Sequence, residues 1–340
     1  VLMLMSLMVL DVMISATFNG ALTMSGATNI DSGGTIVINA AINSSGSSSG
    51  TIDIDSVGVT TIGANGDINA GGAVAFGADE TGTLTTSGDI DTSNDAVRFY
   101  RAVTLGGDVD IDTDTGAGNI QFDSTIATGG NDLALDAGAS GNVTLSGALT
   151  GGGAMTVRDG AVQSYAALTL TSLTISDATT SVTLEGALTT DNAVSITSGG
   201  TIVQNAALTA GSTLTLSANS GVDLNQNVTS NGTTTVDTDA DDNGSGDFDL
   251  ASSKTFTTTN NALTITANDF ILNGTSLTSG SSTTTLRVSD SSSASTGTIG
   301  VGATSANMTI SAAELQKITA STLTIGQSSG TGNITVDNLA

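Results

Sequence analysis

The sequence predicts an all-β chain folded as a parallel β-solenoid, with about 20–24 residues and three short strands per coil. Three observations carry this. First, short apolar beats recur: Val109-Asp110-Ile111, Ile120-Gln121-Phe122 and Ile126 return as Leu133-Ala134-Leu135, Val143-Thr144-Leu145 and Leu149, 23 to 24 residues on. Further along, Val194-Ser195-Ile196, Thr201-Ile202-Val203 and Leu208 return 20 residues later as Leu214-Thr215-Leu216, Val222-Asp223-Leu224 and Val228. Second, each beat sets a polar residue between two apolar ones, the period of a half-buried strand. Third, the beats are separated by turn chemistry such as "GAGN", "TGGND" and "SANSG". A unit this short cannot bury its own apolar face, but stacked copies can.

Composition fits the same architecture. The chain has 340 residues, 38% of them hydrophobic and only 3% aromatic, so its core must be built from Val, Ile, Leu and Ala. Gly numbers 43 and Pro is absent, which suits many tight corners and uninterrupted strand ladders. An array of β-sandwich domains would show units several times longer, and an antiparallel barrel would lack the 20-residue echo. At about 20–24 residues per coil the chain holds about 15 coils, read as one continuous solenoid over 1–340. Within it, 1–19 is read as apolar starting strands or a broken end.

The beginning, "VLMLMSLMVLDVMIS", has neither a basic n-region nor a small-residue cleavage site, and it is too short to span a bilayer. Its apolar residues fall on both faces, as in a buried strand. The chain therefore reads as part of a longer repetitive protein. "SSGSSSG" (44–50) and "SDSSSAST" (289–296) read as coil insertions or exposed loops. "SAAELQKITA" (311–320) is the one run of helix formers. Ser311 and Glu314 are spaced as a capping box, which predicts a single helical corner within a coil.

Charge excludes several functions. The formal net charge is -26 with only six basic residues, so nucleic acid and anionic membranes should be repelled. His and Cys are absent, which removes Ser-His-Asp and Cys nucleophiles, the usual zinc sites and disulfides. Two carboxylates could still hydrolyse a glycoside, but the "NTD", "GHG" and "RIK" clusters of pectin hydrolases are absent, and of the basic residues a lyase would want beside Asp ligands, Arg158-Asp159 reads as a lone turn pair. No enzyme is expected.

Four features could bind something. "DVDIDTD" places Asp108, Asp110, Asp112 and Asp114 on one strand face, where they would be solvated or would hold weakly bound cations. "VDTDADDNGSGDFD" (236–249) is sharper. Asp239, Asp241, Asn243 and Gly244 match positions 1, 3, 5 and 6 of a D-x-D-x-N-G calcium loop, with Asp247 at position 9 and Leu250 where a bidentate Glu belongs. The candidate calcium ligands are Asp237, Asp239, Asp241, Asn243, Asp247 and Asp249. In "AVRFYRAV" (96–103), Arg98 and Tyr100 should face outward, where the Tyr ring could stack on a sugar. T-x-T steps such as Thr83-Leu84-Thr85 and Thr213-Leu214-Thr215 could suit an ice or crystal face, but their spacings along the chain wander.

The repeats resemble the passenger regions of filamentous-haemagglutinin-like surface proteins and bacterial autotransporter adhesins. The resemblance lies in "RAVTLGGDVDIDTDTGAGNIQFDSTI" (101–126), "LALDAGASGNVTLSGALT" (133–150), "ALTTDNAVSITSGGTIVQNAALTAGSTLTLSA" (187–218) and "NMTISAAELQKITASTLTIGQSSGTGNITVDNL" (307–339). It covers roughly residues 20–340 and rests on repeat style. It implies a right-handed β-helix on the cell surface, secreted and adhesive. The implied partners are host or neighbouring-cell surfaces, glycans, or further copies of the chain.

Overall fold

In the computed structural model, residues 2–4, 7–12, 15–45, 50–289, 297–327 and 332–339 are described. The Ser-rich stretches at 46–49 and 290–296 lie outside them. The chain forms two compact units, Val1–Thr171 and Ser172–Ala340. Each is a right-handed parallel β-solenoid, the hand that parallel crossover connections take.

Among the described residues of the first unit, twenty-four strands from Leu2–Leu4 to Leu168–Leu170 make three parallel sheets of eight. Successive strands along the chain pass from one sheet to the next, so three strands complete a coil. The echoes read from the sequence are the actual strand pairs: Val109 with Leu133, Ile120 with Val143 and Ile126 with Leu149. The apolar start forms strands Leu2–Leu4 and Leu7–Val12, which pair with the next coil.

The alternating pattern exists because every second side chain of a strand points inward. Ile42, Ile68, Ile90 and Ile111 stack in register, each at most 1% exposed. Burying each such side chain is worth about 1.5–3 kcal/mol, which offsets the entropy of ordering a coil with little aromatic help. Phe99 sits between Phe76 and Phe122, with ring centroids 5.2 and 4.3 Å away and rings nearly parallel. At the corners, inward Thr and Ser hydroxyls donate to backbone carbonyls, as Thr113 does to Gly118 (2.8 Å) and Thr190 to Asn192 (2.9 Å). These bonds add to the backbone pairing that fixes the corners, where Asn192 O also accepts the Ser212 N–H at 3.1 Å.

The second unit repeats the arrangement. Val194 pairs with Leu214 and Leu214 with Thr234, a 20-residue step each time. Phe248 stacks on Phe270 at 5.4 Å and tilts against Phe256 at 6.2 Å. The step from Thr234 to Leu263 is 29 residues, and that from Thr283 to Thr322 is 39. The longer step carries strands Ile299–Gly302 and Met308–Ile310 and helix Ala312–Leu315. This helix is the predicted corner, with both hydrogen bonds of the Ser311/Glu314 capping box formed. Such insertions explain why about 13 turns form rather than the 15 that uniform coils would give. Among the described residues, no helix is long and apolar enough to cross a membrane.

Candidate functional site

The acidic residues of the first unit divide into two groups. One is structural. Asp67, Asp89, Asp108 and Asp132 sit just before strands of the first sheet, and each carboxylate accepts a backbone N–H from the following coil. The acceptors receive Asp89 N–H (3.2 Å), Asp110 N–H (2.8 Å), Asp132 N–H (2.9 Å) and Ala154 N–H (2.7 Å), respectively. Asn119 and Asn142 do the same for Asn142 and Val162. Only a short side chain can reach an amide one coil away while its own backbone stays in register, which accounts for Asp rather than Glu. The sequence signal for this was an Asp or Asn immediately before the beats at Ile68, Ile90, Val109, Ile120, Leu133 and Val143.

The other group lines a groove. Asn43, Asn69, Asp91, Asp112 and Asp136 form one outward column of the first sheet, in register over successive coils. They border two adjoining hollows of about 290 and 330 Å³ that share Asp91 and Thr92. Arg158 follows Asp136 in this column, one coil on. Its guanidinium reaches back two coils to Asp110 (Nη1 to Oδ2, 3.0 Å), takes Asp136 at 3.3 Å, and lies 3.9 Å from Asp112. The expected lone Arg158-Asp159 turn pair is thus corrected: coil stacking brings three carboxylates of the "DVDIDTD" and Asp136 columns to Arg158. These hydrogen bonds push the Arg158 guanidinium above its usual range. Earlier in the column, desolvation raises the Asp91 carboxyl, helped by Asp112, Asp110, Asp89 and Asp67.

A second acidic cluster lies on the second sheet of this unit. Asp53 and Asp31 flank Asp55, which is only 3% exposed beneath the segment carrying Asp79, whose N–H reaches Asp55 Oδ1 at 3.3 Å. Asp53 Oδ1 is buried without a hydrogen-bond partner. Burial first, and then the charges of Asp55, Asp79 and Asp31, push Asp53 up to about 6. Asp55 is also raised, by burial, although the Asp79 and Ala78 amides act against the shift. An unfolded Asp titrates near 4. Acidification from pH 7 therefore protonates the native Asp53 while the unfolded one stays ionised, so stability rises between pH 7 and about pH 4. After allowance for solvent screening the gain is about 1 kcal/mol. Melting curves from pH 7 to pH 5 should show this rise, and Asp53→Asn should reduce it, the remainder coming from the other raised carboxyls such as Asp55 and Asp91.

In the second unit, the 236–249 loop brings Asp239, Asp241 and Asn243 together but turns Asp239 inward. Its carboxylate is fully buried and accepts the Asn243 N–H (3.0 Å), the Gly244 N–H (2.9 Å) and the Ser289 hydroxyl (2.7 Å). Asp241 holds the Asn243 side-chain amide at 2.8 Å, and Asp237 accepts the Asp239 N–H at 3.4 Å. Asp247 points to the next coil and accepts from the Asn268 side chain and Asp269 N–H. Asp249 stands on strand Phe248–Leu250 beside Asp223, its carboxyl raised by burial and by that neighbour. The six candidate calcium residues thus fall into separate roles. Among the described residues, no group of three or more Asp or Glu is placed to hold a metal ion. Gly246 shows how tight the loop is: its φ is +133°, and a Cβ there would lie 2.0 Å from the Thr238 carbonyl oxygen.

Arg98 and Tyr100 do face outward, but Arg98 covers the Tyr ring at 4.3 Å and pairs with Asp123 at 2.8 Å. That ring face is therefore occupied by a cation rather than open to a sugar.

The structure corrects the reading of the T-x-T steps. Their spacing along the sequence is uneven because insertions lie at corners, while the strand positions stay in register. In the first sheet of the second unit, Thr174, Ser195, Thr215, Thr235, Thr264, Thr285 and Thr324 form one unbroken outward column. Thr213 and Thr233 stand beside it two positions away, as do Thr283 and Thr322, a directly paired couple. The residue between each outward pair points into the core, which is why a Leu so often separates two Thr.

No protein-family model matches the chain, no curated protein matches it significantly, and no solved structure does. Its class is therefore defined by geometry alone, as a three-sided parallel β-solenoid repeat protein.

Proposed function

We propose that the chain is a stretch of a non-enzymatic extracellular structural or adhesive protein, of the filamentous-haemagglutinin-like or autotransporter-passenger kind. The observation that carries this reading is the in-register repetition of outward polar side chains over many coils, which offers extended surfaces rather than one convergent centre. The charged groups best placed for chemistry are already engaged: Arg158 by Asp110 and Asp136, and Asp239 by backbone amides and Ser289. The groove along Asn43, Asn69, Asp91 and Asp112 is the natural seat for a glycan. Its amide and carboxylate groups repeat at the coil spacing of about 4.8 Å; the Asn69 amide donates to Asn43 Oδ1 at 3.0 Å, and the Asp91 and Asp112 carboxylates can accept from successive sugar hydroxyls.

The test is binding of the labelled chain to a glycan array and to whole cells. Retention that falls several-fold in an Asn69→Ala, Asp91→Ala double variant is expected. Absence of retention on every surface would count against adhesion. New reducing or unsaturated ends released from a polysaccharide panel would instead favour a β-helix enzyme.

A further inference from the structure

We propose that the outward face of the first sheet in the second unit binds the surface of crystalline water, that is, ice. This goes beyond the adhesive reading and stands independently of it.

The face carries two adjacent ranks of hydroxyl and methyl groups. One is the seven-residue column through Thr215, Thr235 and Thr285. The other, two residues earlier on the same strands, runs Ser172, Ala193, Thr213, Thr233, Ala262, Thr283 and Thr322, so that Thr fills four of its seven places. Neighbours within a rank are separated by the strand spacing of about 4.8 Å, and the ranks by two residues of strand, about 6.6 Å. The hydroxyls thus form one unbroken row and a second row interrupted at Ala193 and Ala262, both held in register by the backbone ladder.

Three properties suit the face to an ordered lattice of water. Thr is β-branched and stiff at χ1, so its hydroxyl and methyl keep one orientation from coil to coil with little entropy to lose on binding. None of these hydroxyls is engaged by a hydrogen bond to another described residue. The inward hydroxyls of the same coils differ in this respect: Ser230 donates to Gly232, Thr258 to Asn261 and Ser279 to Ser282. The outward hydroxyls are therefore free to hold water, and the methyls between them limit how that water can arrange itself. Finally, these two ranks carry no charged residue although the chain's net charge is -26. A charge would impose its own hydration shell. Asp237 and Arg287 lie two residues further along their strands, outward on the same face, and border the Thr column on its other side.

The second sheet of the same unit makes the contrast. Its outward column runs Thr183, Val203, Asp223, Asp249 and Ile271, a mixture with no common group to repeat.

The experiment freezes a hemisphere of ice slowly in a solution of the fluorescently labelled full chain and measures its uptake, with thermal hysteresis recorded in parallel. The native chain should be taken up into the ice. Thr215→Lys, Thr235→Lys should be excluded like an inert protein, and Val203→Lys on the second sheet should be taken up as the native chain is. Both substitutions are outward, and melting curves check that the fold persists. If the double variant unfolds, Thr285→Lys on another coil takes its place with the same expected exclusion. Exclusion of the native chain would overturn the proposal. So would equal uptake of the native chain and the face variants, or loss of uptake in Val203→Lys. Retention on insoluble chitin or cellulose through these Thr residues, without uptake into ice, would assign the face to a crystalline polysaccharide and also overturn it.

Discussion

Replacing Phe99 by Ala is expected to lower the stability of the first unit by about 4 kcal/mol. Phe99 is 1% exposed and lies sandwiched between Phe76 and Phe122, so its removal opens a cavity whose two largest walls are aromatic rings held by separate coils. Backbone pairing of Val97–Phe99 with the coils on either side prevents the site from collapsing. The stacking lost from two ring pairs adds to the lost burial. Denaturant melts of the native chain and the variant check the magnitude. In a repeat architecture the loss should be concentrated in coils near the cavity, and hydrogen exchange should show faster opening there first. A cost below about 1 kcal/mol would mean that the ring stack does not hold these coils together.

The second large effect is expected at Asp239. Asp239→Ala leaves the Asn243 and Gly244 amides and the Ser289 hydroxyl without their acceptor; Asp239 and Ser289 are buried, whereas Asn243 is exposed. An unsatisfied buried donor costs about 1–3 kcal/mol, and with water able to reach the Asn243 amide the expected loss is about 2–3 kcal/mol. Asp239→Asn keeps one acceptor oxygen and should cost less. The melting temperature of the native chain should be the same in calcium and in chelator, and Asp239→Ala should fall by the same amount in both. A stabilisation by calcium that disappears in Asp239→Ala would show instead that the loop opens and the carboxylate serves as a metal ligand.

Much of the fold was legible in the sequence because strand period and coil echo are both one-dimensional signals. The pairs Val109–Leu133 and Val194–Leu214 are the same pairs that the beats suggested. The helical corner at Ser311 was legible because a capping box is local. What escaped was whatever depends on which residues the coils stack. Arg158 meets Asp110 across 48 residues, and no local pattern announces that contact. The calcium-like spacing at Asp239 was read from ligand positions alone. The same Asx-rich spacing also closes a self-satisfied loop, and only the burial of the carboxylate distinguishes the two. The Thr columns were obscured by corner insertions, which disturb numbering along the chain but not register between strands.

The measurement that tests the account most directly is a distance between two outward positions of one column, separated by ninety residues of sequence. The chain has no native cysteine, so Ser195→Cys and Thr285→Cys can be spin-labelled without background. Ser195, Thr215, Thr235, Thr264 and Thr285 are successive partners, and four strand spacings of about 4.8 Å place the backbones about 19 Å apart. Electron–electron dipolar spectroscopy should give a narrow distribution near that value, broadened only by the label tethers. A broad distribution, or one centred beyond about 35 Å, would contradict stacked in-register coils.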